Sequence, residues 1–416
     1  MRILHTGDWH IGAKTDDLDR FSEQKEALEQ VVRIAREKQV DMVIIAGYIY
    51  ESLIPSSEDE KLFYRVVTEL SNNGNTAVIA IAGNHDEPKR MSNANIFADK
   101  FGIYLIGYID EINVDTSRTD KNIYAIDSGK GFIKFRTQGG EEAVVAVLPY
   151  PSYYRYKEMK REGENFSDKV TEWLGAGVSH FEDHTINITV AHTMSFATAM
   201  GEEEFMDKTN LSTTFNFVGQ EAYVNTKAHY TALGHVHQPI CVNKDKNIYY
   251  SGALINQYFV ESAEEKTSVY IVDLDNTGVK SIEKEYLDVK LLRRFKCNSI
   301  SEAAMALSLY PNDLVKIVIE NVFSAVDDTA EGVDFSRSDV ITFSDIKNLK
   351  KQNPNLVTLS VISKEAVSKD SVVSKKDLTS SEIFDNFVMH RTGKAPEQKL
   401  KELFLELISE DVYEAD

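Results

Sequence analysis

The stretch Met1–Gly12, MRILHTGDWHIG, decides how the rest of the chain is interpreted. Arg2–Thr6 predicts a short buried strand that ends at Gly7, and Asp8 and His10 follow in the loop. A carboxylate oxygen and an imidazole nitrogen two residues apart can converge on one cation, and these donors suit Zn, Mn or Fe. Taken alone, the Asp-x-His pair is more simply explained as a polar loop. Whether the chain has a metal site therefore depends on the other segments of the sequence.

The pattern of an apolar run followed by glycine and polar residues recurs along the chain. Asp41–Ala46 ends at Gly47, and Ala77–Ala82 ends in Gly-Asn-His-Asp. Apolar residues at helical spacing fill Glu23–Lys38 and Ser57–Leu70 between these strands. Alternating strands and helices predict a parallel sheet, whose ligands gather at the carboxyl ends of the strands.

Two later strands end in histidine. Ile186–Ala191 is followed by His192, and Tyr230–Leu233 is followed by Gly-His-Val-His. The intervening residues 103–148 form short strand-like pieces, which predict a β-rich second half of the same domain. We therefore expect six side chains with oxygen or nitrogen donors at the same edge of one sheet, and a two-metal site there. They are Asp8, His10, Asn84, His192, His235 and His237.

Composition sets limits on the function. The chain has 416 residues, a net charge of −20 and 42% hydrophobic residues, which is ordinary for a globular protein of two or three domains. The negative charge argues against a broad nucleic-acid-binding face, although a metal, a local basic patch or a basic partner can supply cations. We expect no membrane span, signal peptide or disulfide framework and a cytoplasmic location, because apolar runs are short and Cys241 and Cys297 are the only cysteines.

The character of the sequence changes after the last predicted strand of the sheet. We expect a first domain over residues 1–284, a small α/β capping domain over 285–363 and a linker over 364–380 rich in Ser, Lys and Asp. Two helices with large apolar faces, Glu382–His390 and Pro396–Ile408, end the chain within residues 381–416. Helices of this kind behind a linker usually need a partner surface.

Five motifs in order, spread over about 230 residues, resemble the calcineurin-like metallophosphoesterase family: D-x-H, a GY pair where the family has GD, GNHD, a lone histidine and GHxH. The surrounding residues HTGDWHIG, GNHDEPKR, GHVHQP and SGAL narrow the resemblance to the DNA-repair nucleases of that family. The resemblance implies a β-sandwich flanked by helices, a capping domain that helps to grip DNA, and terminal helices that dock on a coiled-coil ATPase.

The same resemblance implies a role for each motif residue. Asp8, His10 and His237 would hold one metal ion, while Asn84, His192 and His235 would hold the other. His85 would face the scissile phosphate and stabilise or protonate the leaving oxygen, and Asp86 would orient His85. The implied activity is double-strand exonuclease and single-strand or hairpin endonuclease in DNA repair, recombination and replication. The implied assembly is a homodimer with two ATPase subunits, and Mn²⁺ suits the histidine-rich donors best.

Position 48 departs from the family pattern. The family has an aspartate that bridges both ions, and this chain has Tyr48. A phenol has one oxygen and an ordinary pKa near ~10, so it ligates only as a phenolate. We expect weaker metal binding, or one ion instead of two, and impaired cleavage; Glu51 is not expected to reach the site.

Two other functions remain open on the sequence. The same fold serves small-molecule phosphomonoesterases and phosphodiesterases, although the C-terminal additions favour a nuclease. With Tyr48 the chain is alternatively a non-catalytic DNA-end scaffold for its ATPase. Candidate phosphate contacts are the basic pairs Lys89 and Arg90, and Arg293 and Arg294, although each pair is more simply explained as a solvated surface pair.

Overall fold

The computed structural model describes residues 1–16, 18–110, 112–159, 163–196, 217–260, 266–322, 325–326 and 341–363, and four single residues near the C-terminus: Val388, Pro396, Leu400 and Lys401. Apart from those four residues, the predicted linker and terminal helices lie outside the described residues. The chain divides into two compact units, Met1–Leu292 and Arg293–Asp416. Across the described ranges, no helix is long and apolar enough to cross a membrane.

The first unit contains two large sheets, a small two-stranded sheet, and helices outside the large sheets. Its strands are β1 (Arg2–Thr6), β2 (Lys14–Thr15), β3 (Leu18–Asp19), β4 (Met42–Ile45), β5 (Ala77–Ile81), β6 (Ile103–Ile106), β7 (Ile123–Gly129), β8 (Phe132–Thr137), β9 (Glu142–Leu148), β10 (Ile186–His192), β11 (Tyr230–Gly234), β12 (Cys241–Asn243), β13 (Ile248–Tyr250), β14 (Ser268–Asp275) and β15 (Gly278–Tyr286). Its helices are α1 (Phe21–Glu37), α2 (Ser57–Leu70), α3 (Pro88–Ala98), α4 (Phe166–Val178) and α5 (Glu221–Val224), with short 3-10 turns at Asn72–Gly74 and Asp99–Phe101.

Thirteen of these strands pair into a six-stranded and a seven-stranded sheet within the described ranges, while β2 and β3 pair with each other. Their orders are β15-β14-β1-β4-β5-β6 and β12-β13-β11-β10-β9-β8-β7. The strands β1, β4, β5 and β6 run parallel, as do β9, β10, β11 and β13. The expectation of one sheet was therefore wrong, because β7–β13 form a second sheet instead of extending the first. The α/β sandwich flanked by helices, which the family resemblance implied, is confirmed.

Alternating side chains build a core on each face of the first sheet. Ile3 and Ile44 pack between the two sheets with Val145 and Val190, while Leu4 and Val43 point to the other face, toward α1 and α2. The helix α4 covers the outer face of the second sheet, where its Trp173 and Leu174 pack. This layering brings the carboxyl ends of β1, β4 and β5 next to those of β10 and β11.

Gly234 lies where the end of β11 packs closely against the end of the apolar run that contains β4. A Cβ atom at this position would lie 1.8 Å from the backbone oxygen of Ala46, a separation that no side chain tolerates without movement of the backbone. We expect Gly234→Ala to destabilise the protein by about 2–4 kcal/mol, because overpacking displaces a strand end. Urea unfolding would measure this loss, with Gly175→Ala as a glycine control where a Cβ would meet open space. A loss for Gly234→Ala no larger than for Gly175→Ala would contradict the prediction.

The second unit is a small α/β structure of its own. It contains β16 (Leu292–Cys297), α6 (Ile300–Leu309), β17 (Leu314–Val322), β18 (Ala325–Val326), β19 (Ile341–Thr342), α7 (Phe343–Gln352) and β20 (Leu356–Ser363). The strands β16, β17 and β20 form one sheet, in which β17 and β20 are parallel. Buried Leu307, Ile317 and Leu349 form its core with their neighbours. Ser299 and Thr342 cap the two helices through their hydroxyl groups.

Candidate metal centre

The predicted donor residues lie on loops held in an unusual backbone conformation. Asp8, His10, Tyr48 and His235 have φ angles of 51°, 47°, 51° and 100°, in the left-handed region that residues other than glycine seldom adopt. Backbone strain of this kind persists where surrounding contacts over-determine the conformation, and it concentrates at functional sites. The four residues follow β1, β4 and β11, so the strain is concentrated at the edge where the two sheets meet.

His192 and Asn84 form the first pair of facing donors. The Nδ1 atom of His192 lies 2.7 Å from the backbone oxygen of Ala46, so Nδ1 carries the proton and donates it. Burial first, and His235 next, hold the pKa of His192 well below its usual range, so the ring is neutral. Its Nε2 atom then has a free electron pair and lies 3.3 Å from the Oδ1 atom of Asn84, also an acceptor.

His10 and His237 form the second pair. The Nδ1 atom of His10 donates to the carboxylate of Glu51 at 2.6 Å, which leaves Nε2 as the ring nitrogen that faces the other donors. That Nε2 atom lies 3.0 Å from Nε2 of His237. The pKa of the His237 imidazole is held well below its usual range, first by burial and then by His10. Two nitrogens that share one ion at about 2.1 Å each are separated by about 3 Å, which is the spacing of this pair.

Asp8 and His235 complete the set at the centre of the fold. Both side chains are buried, with exposed fractions of 0% and 2%. The carboxylate oxygens of Asp8 accept the backbone N–H of His235 at 2.9 and 3.2 Å. Burial raises the pKa of Asp8 well above its usual range and lowers that of His235 to about 3. The first sheet therefore supplies Asp8, His10 and Asn84, and the second supplies the three remaining histidines.

The Tyr48 side chain lies in the middle of these histidines. Its ring centroid lies 4.3 Å from that of His10, 4.4 Å from His192, 4.8 Å from His85, and 5.5 Å from both His235 and His237. The side chain is buried, and its phenol lies beside the Asn84 side chain. Burial first, and Asp8 next, raise its pKa well above the usual range, so the phenol is neutral. Without an ion at the site, Tyr48 therefore contributes no negative charge, in contrast to the bridging aspartate of the family pattern.

The facing donor residues and Tyr48 thus differ in how well they fit the binding of divalent ions. The two pairs fit a divalent ion, because imidazole nitrogens and an amide oxygen face each other at ligand spacing, with no proton between the facing atoms of His192 and Asn84. Tyr48 does not fit a bridge between two ions, because its ring fills that position.

His85 and Asp86 depart from their predicted relationship. The Nδ1 atom of His85 lies 2.9 Å from the backbone oxygen of Glu51, which replaces Asp86 as its hydrogen-bond partner. The carboxylate of Asp86 instead accepts three backbone N–H groups, from Gly83, Tyr50 and Ile49, at 2.8, 2.9 and 3.1 Å. Asp86 therefore ties the loop after β5 to the loop after β4. The expectation that Asp86 orients His85 is corrected accordingly.

Glu51 and Arg155 are two contributors that the sequence analysis did not assign to the site. Glu51 contacts His10 and His85, so the expectation that Glu51 does not reach the site was wrong. The only signal for this contact was the place of Glu51 in the loop after Gly47. The Arg155 guanidinium donates to the backbone oxygens of Gly83, Asn84 and Asp86 at 2.9, 2.8 and 3.0 Å. It fixes the loop that carries Asn84 and His85, and nothing in the sequence around it indicates this role.

The four residues predicted to contact phosphate differ in their exposure and in their contacts within the protein. Lys89 is exposed, whereas Arg90 pairs with Glu60 at 2.8 Å. In the second unit, Arg293 pairs with Asp313 at 2.6 Å and stacks over the Tyr310 ring at 4.1 Å. Arg294 is half-buried. Lys89 is therefore the most accessible of the four cations.

Comparison with known proteins agrees with this geometry. Residues 1–239 match the model of the calcineurin-like phosphoesterase family. The chain belongs to this family, and the resemblance drawn from the five motifs is confirmed. Membership and the donor set together indicate a site for divalent metal ions.

Two relatives match along almost the whole chain. The chain is 27% identical over 428 residues to the SbcD subunit of the SbcCD nuclease of Bacillus subtilis, an alignment that covers 98% of each protein. It is 22% identical to the SbcD subunit of the SbcCD nuclease of Staphylococcus epidermidis, again with 98% of each covered. A solved dimetal phosphatase from Danio rerio aligns with a TM-score of 0.39 and 10% identity over 69% of this chain and 98% of its own.

Proposed function

We propose that this chain is the nuclease subunit of an SbcCD-type complex, a phosphodiester hydrolase that acts on DNA in the cytoplasm and whose activity is impaired by Tyr48. The observation that carries the proposal is the pair of facing donor sets, His10 with His237 and His192 with Asn84, at 3.0 and 3.3 Å. Similarity to two SbcCD nuclease subunits over 98% of the chain supports DNA as the substrate.

The side chains have separable tasks in this proposal. Asp8, His10 and His237 would hold one ion, and Asn84, His192 and His235 the other, with Mn²⁺ the best match to histidine-rich donors. Such ions activate a water molecule and neutralise phosphate charge. The protein supplies the proton: because Nδ1 of His85 donates to the oxygen of Glu51, Nε2 is the nitrogen left to serve the leaving group. Burial lowers the pKa of His85, which makes its protonated form a stronger acid.

Substrate and partners extend beyond the metal centre. We assign Lys89 and Arg90 beside the site, and Arg293 and Arg294 of the capping domain, to phosphate contacts, with Lys89 the strongest candidate because it is exposed. Residues 381–416 would bind the coiled-coil base of an SbcC-type ATPase. Ile96, Phe97 and Phe101 expose 66%, 72% and 57% of their surfaces, which supports a self-association face for the proposed homodimer.

One assay separates this proposal from its two alternatives. The chain would be incubated with Mn²⁺ and a hairpin DNA, a linear duplex or bis(p-nitrophenyl) phosphate, and both cleavage and DNA binding by anisotropy would be measured. We expect DNA binding in the micromolar range at 50 mM salt, weakening about tenfold or more at 200 mM, and slow cleavage of the hairpin. Turnover of the small diester alone would favour a small-molecule phosphodiesterase. DNA binding with no cleavage, even after Tyr48→Asp, would favour the scaffold.

A further inference from the structure

Glu51 connects two histidines that the proposed function uses for different tasks. Its carboxylate contacts His10, a proposed metal ligand, and its backbone oxygen contacts His85, the proposed acid. The three side chains hold their ligand atoms within 4.8 Å of one another. We propose that Glu51 is a positioning residue that fixes the protonated nitrogen of both rings and supplies, next to the metal centre, negative charge that position 48 lacks. This inference rests on the proposed function and deepens it.

The contact with His10 determines which of its nitrogens is available to an ion. The Oε2 atom of Glu51 lies 2.6 Å from Nδ1 of His10, a side chain with only 3% of its surface exposed. A carboxylate accepts only, so Nδ1 is held protonated and Nε2 is left facing His237. A carboxylate bonded to the far side of an imidazole also makes the ligating nitrogen more basic.

The contact with His85 works through the backbone. The peptide oxygen of Glu51 lies 2.9 Å from Nδ1 of His85, and its Oε2 atom lies 4.0 Å from the same nitrogen. The peptide oxygen accepts a hydrogen bond from Nδ1, which fixes the protonated nitrogen of the ring. The negative charge of the carboxylate stabilises the ring when it is protonated. Because the peptide oxygen remains in any variant, a change of the Glu51 side chain acts on His10 first.

Charge at the site explains why this carboxylate matters here. The oxygens of Asp8 accept the His235 amide, and those of Asp86 accept three backbone amides. A carboxylate oxygen of Asp8 lies 4.0 Å from the Nδ1 atom of His192. Glu51 approaches His10 at 2.6 Å and is therefore in closer contact with a proposed ligand ring. Because residue 48 is a tyrosine, the attraction of this edge of the sheets for a cation depends more strongly on Glu51 than it would with an aspartate at position 48.

The test replaces Glu51 with glutamine, which keeps the shape and an acceptor oxygen but removes the charge. In metal-free protein, ¹⁵N–¹H spectra of the histidine side chains should show a strongly downfield Nδ1–H for His10, which moves upfield in Glu51→Gln. Calorimetry with Mn²⁺ should show about 10- to 100-fold weaker binding for Glu51→Gln, both in the parent chain and in Tyr48→Asp. Glu51→Asp should recover part of the affinity.

Glu58→Gln is the matched control, because Glu58 is an exposed carboxylate in the first turn of α2. It should leave the imidazole spectrum and Mn²⁺ affinity unchanged, and neither glutamine variant should alter the urea midpoint. An unchanged His10 signal together with unchanged Mn²⁺ affinity in Glu51→Gln overturns the role of Glu51. Absence of Mn²⁺ binding in both the parent chain and Tyr48→Asp instead defeats the proposed function, and the imidazole spectrum still decides about Glu51 in that case.

Discussion

Replacing Tyr48 with aspartate is expected to raise Mn²⁺-dependent cleavage of hairpin DNA by about 100-fold or more. The substitution removes a ring that lies within 4.3–5.5 Å of five imidazole centroids and places a two-oxygen anion at the same position. It also removes the phenol from beside the Asn84 side chain, a proposed metal ligand. Two ions about 3.5–4 Å apart repel each other strongly, and a bridging carboxylate offsets this repulsion.

Stability gives an independent measure of the same change. Without metal, Tyr48→Asp buries a carboxylate in a position that is now 5% exposed, so we expect a lower urea midpoint. Addition of Mn²⁺ should reverse this loss, by about 2.7 kcal/mol at one hundred times the dissociation constant. The parent chain should gain much less from Mn²⁺ at the same concentration.

Matched variants of position 48 separate the effect of the added negative charge from the effect of removing the aromatic ring. Tyr48→Phe removes only the hydroxyl and should give no gain, whereas Tyr48→Asn provides room and an oxygen without charge and should give a small one. Tyr48→Asp combined with His237→Asn should return to the background rate, because one of the two facing nitrogens is lost. Equal cleavage by the parent chain and Tyr48→Asp would show that our account of position 48 is wrong.

Asp86→Ala is expected to lower the free energy of unfolding by about 3–5 kcal/mol. The Asp86 carboxylate is fully buried and accepts the N–H groups of Gly83, Tyr50 and Ile49. Each buried N–H that loses its partner costs about 1–3 kcal/mol. Burial raises the pKa of Asp86, but the three backbone donors oppose that shift, which is typical of an anion held by amides.

Urea unfolding at neutral pH measures this loss, and Mn²⁺ affinity should fall with it because Asn84 and Tyr48 lie on the two loops that Asp86 joins. Asp86→Asn keeps one acceptor oxygen and should lose less than Asp86→Ala. Asp120→Ala is the control, because Asp120 is 74% exposed and pairs with the neighbouring Lys121, so a change within about 0.5 kcal/mol is expected. A loss below about 1 kcal/mol for Asp86→Ala would contradict the role given to its three bonds.

The sequence predicted the strands that position the site but not how they are arranged. Runs such as Asp41–Ala46 and Ala77–Ala82 are apolar on both faces and end in glycine, so their type and their carboxyl ends were evident. The helix Ser57–Leu70 matched its observed bounds because Ser56 and Asp59 form a capping box. The assignment of strands to two sheets depends on packing between distant segments, and local periodicity does not contain that information.

The contacts around the donors were harder to predict than the donors themselves. Motif order identified Asp8, His10 and His235, since each follows a strand. The position of Glu51 depends on the left-handed backbone at Tyr48, which redirects the loop toward His10. Asp86 was assigned to His85 from adjacency, whereas burial of three amides determines where its carboxylate points.

The division of donors between the two sheets means that each facing pair joins chain segments that are far apart. His10 and His237 are 227 residues apart in the chain, and His192 and Asn84 are 108 apart. An ion shared by either pair would act as a cross-link between the halves of the sandwich. By thermodynamic reciprocity, any ligand or partner that pushes the sheets apart would weaken the hold on the ion, and loading the ion would resist that separation. A ligand or partner that binds elsewhere on the sandwich and changes the separation of the two sheets would therefore also change the affinity of the site for the ion.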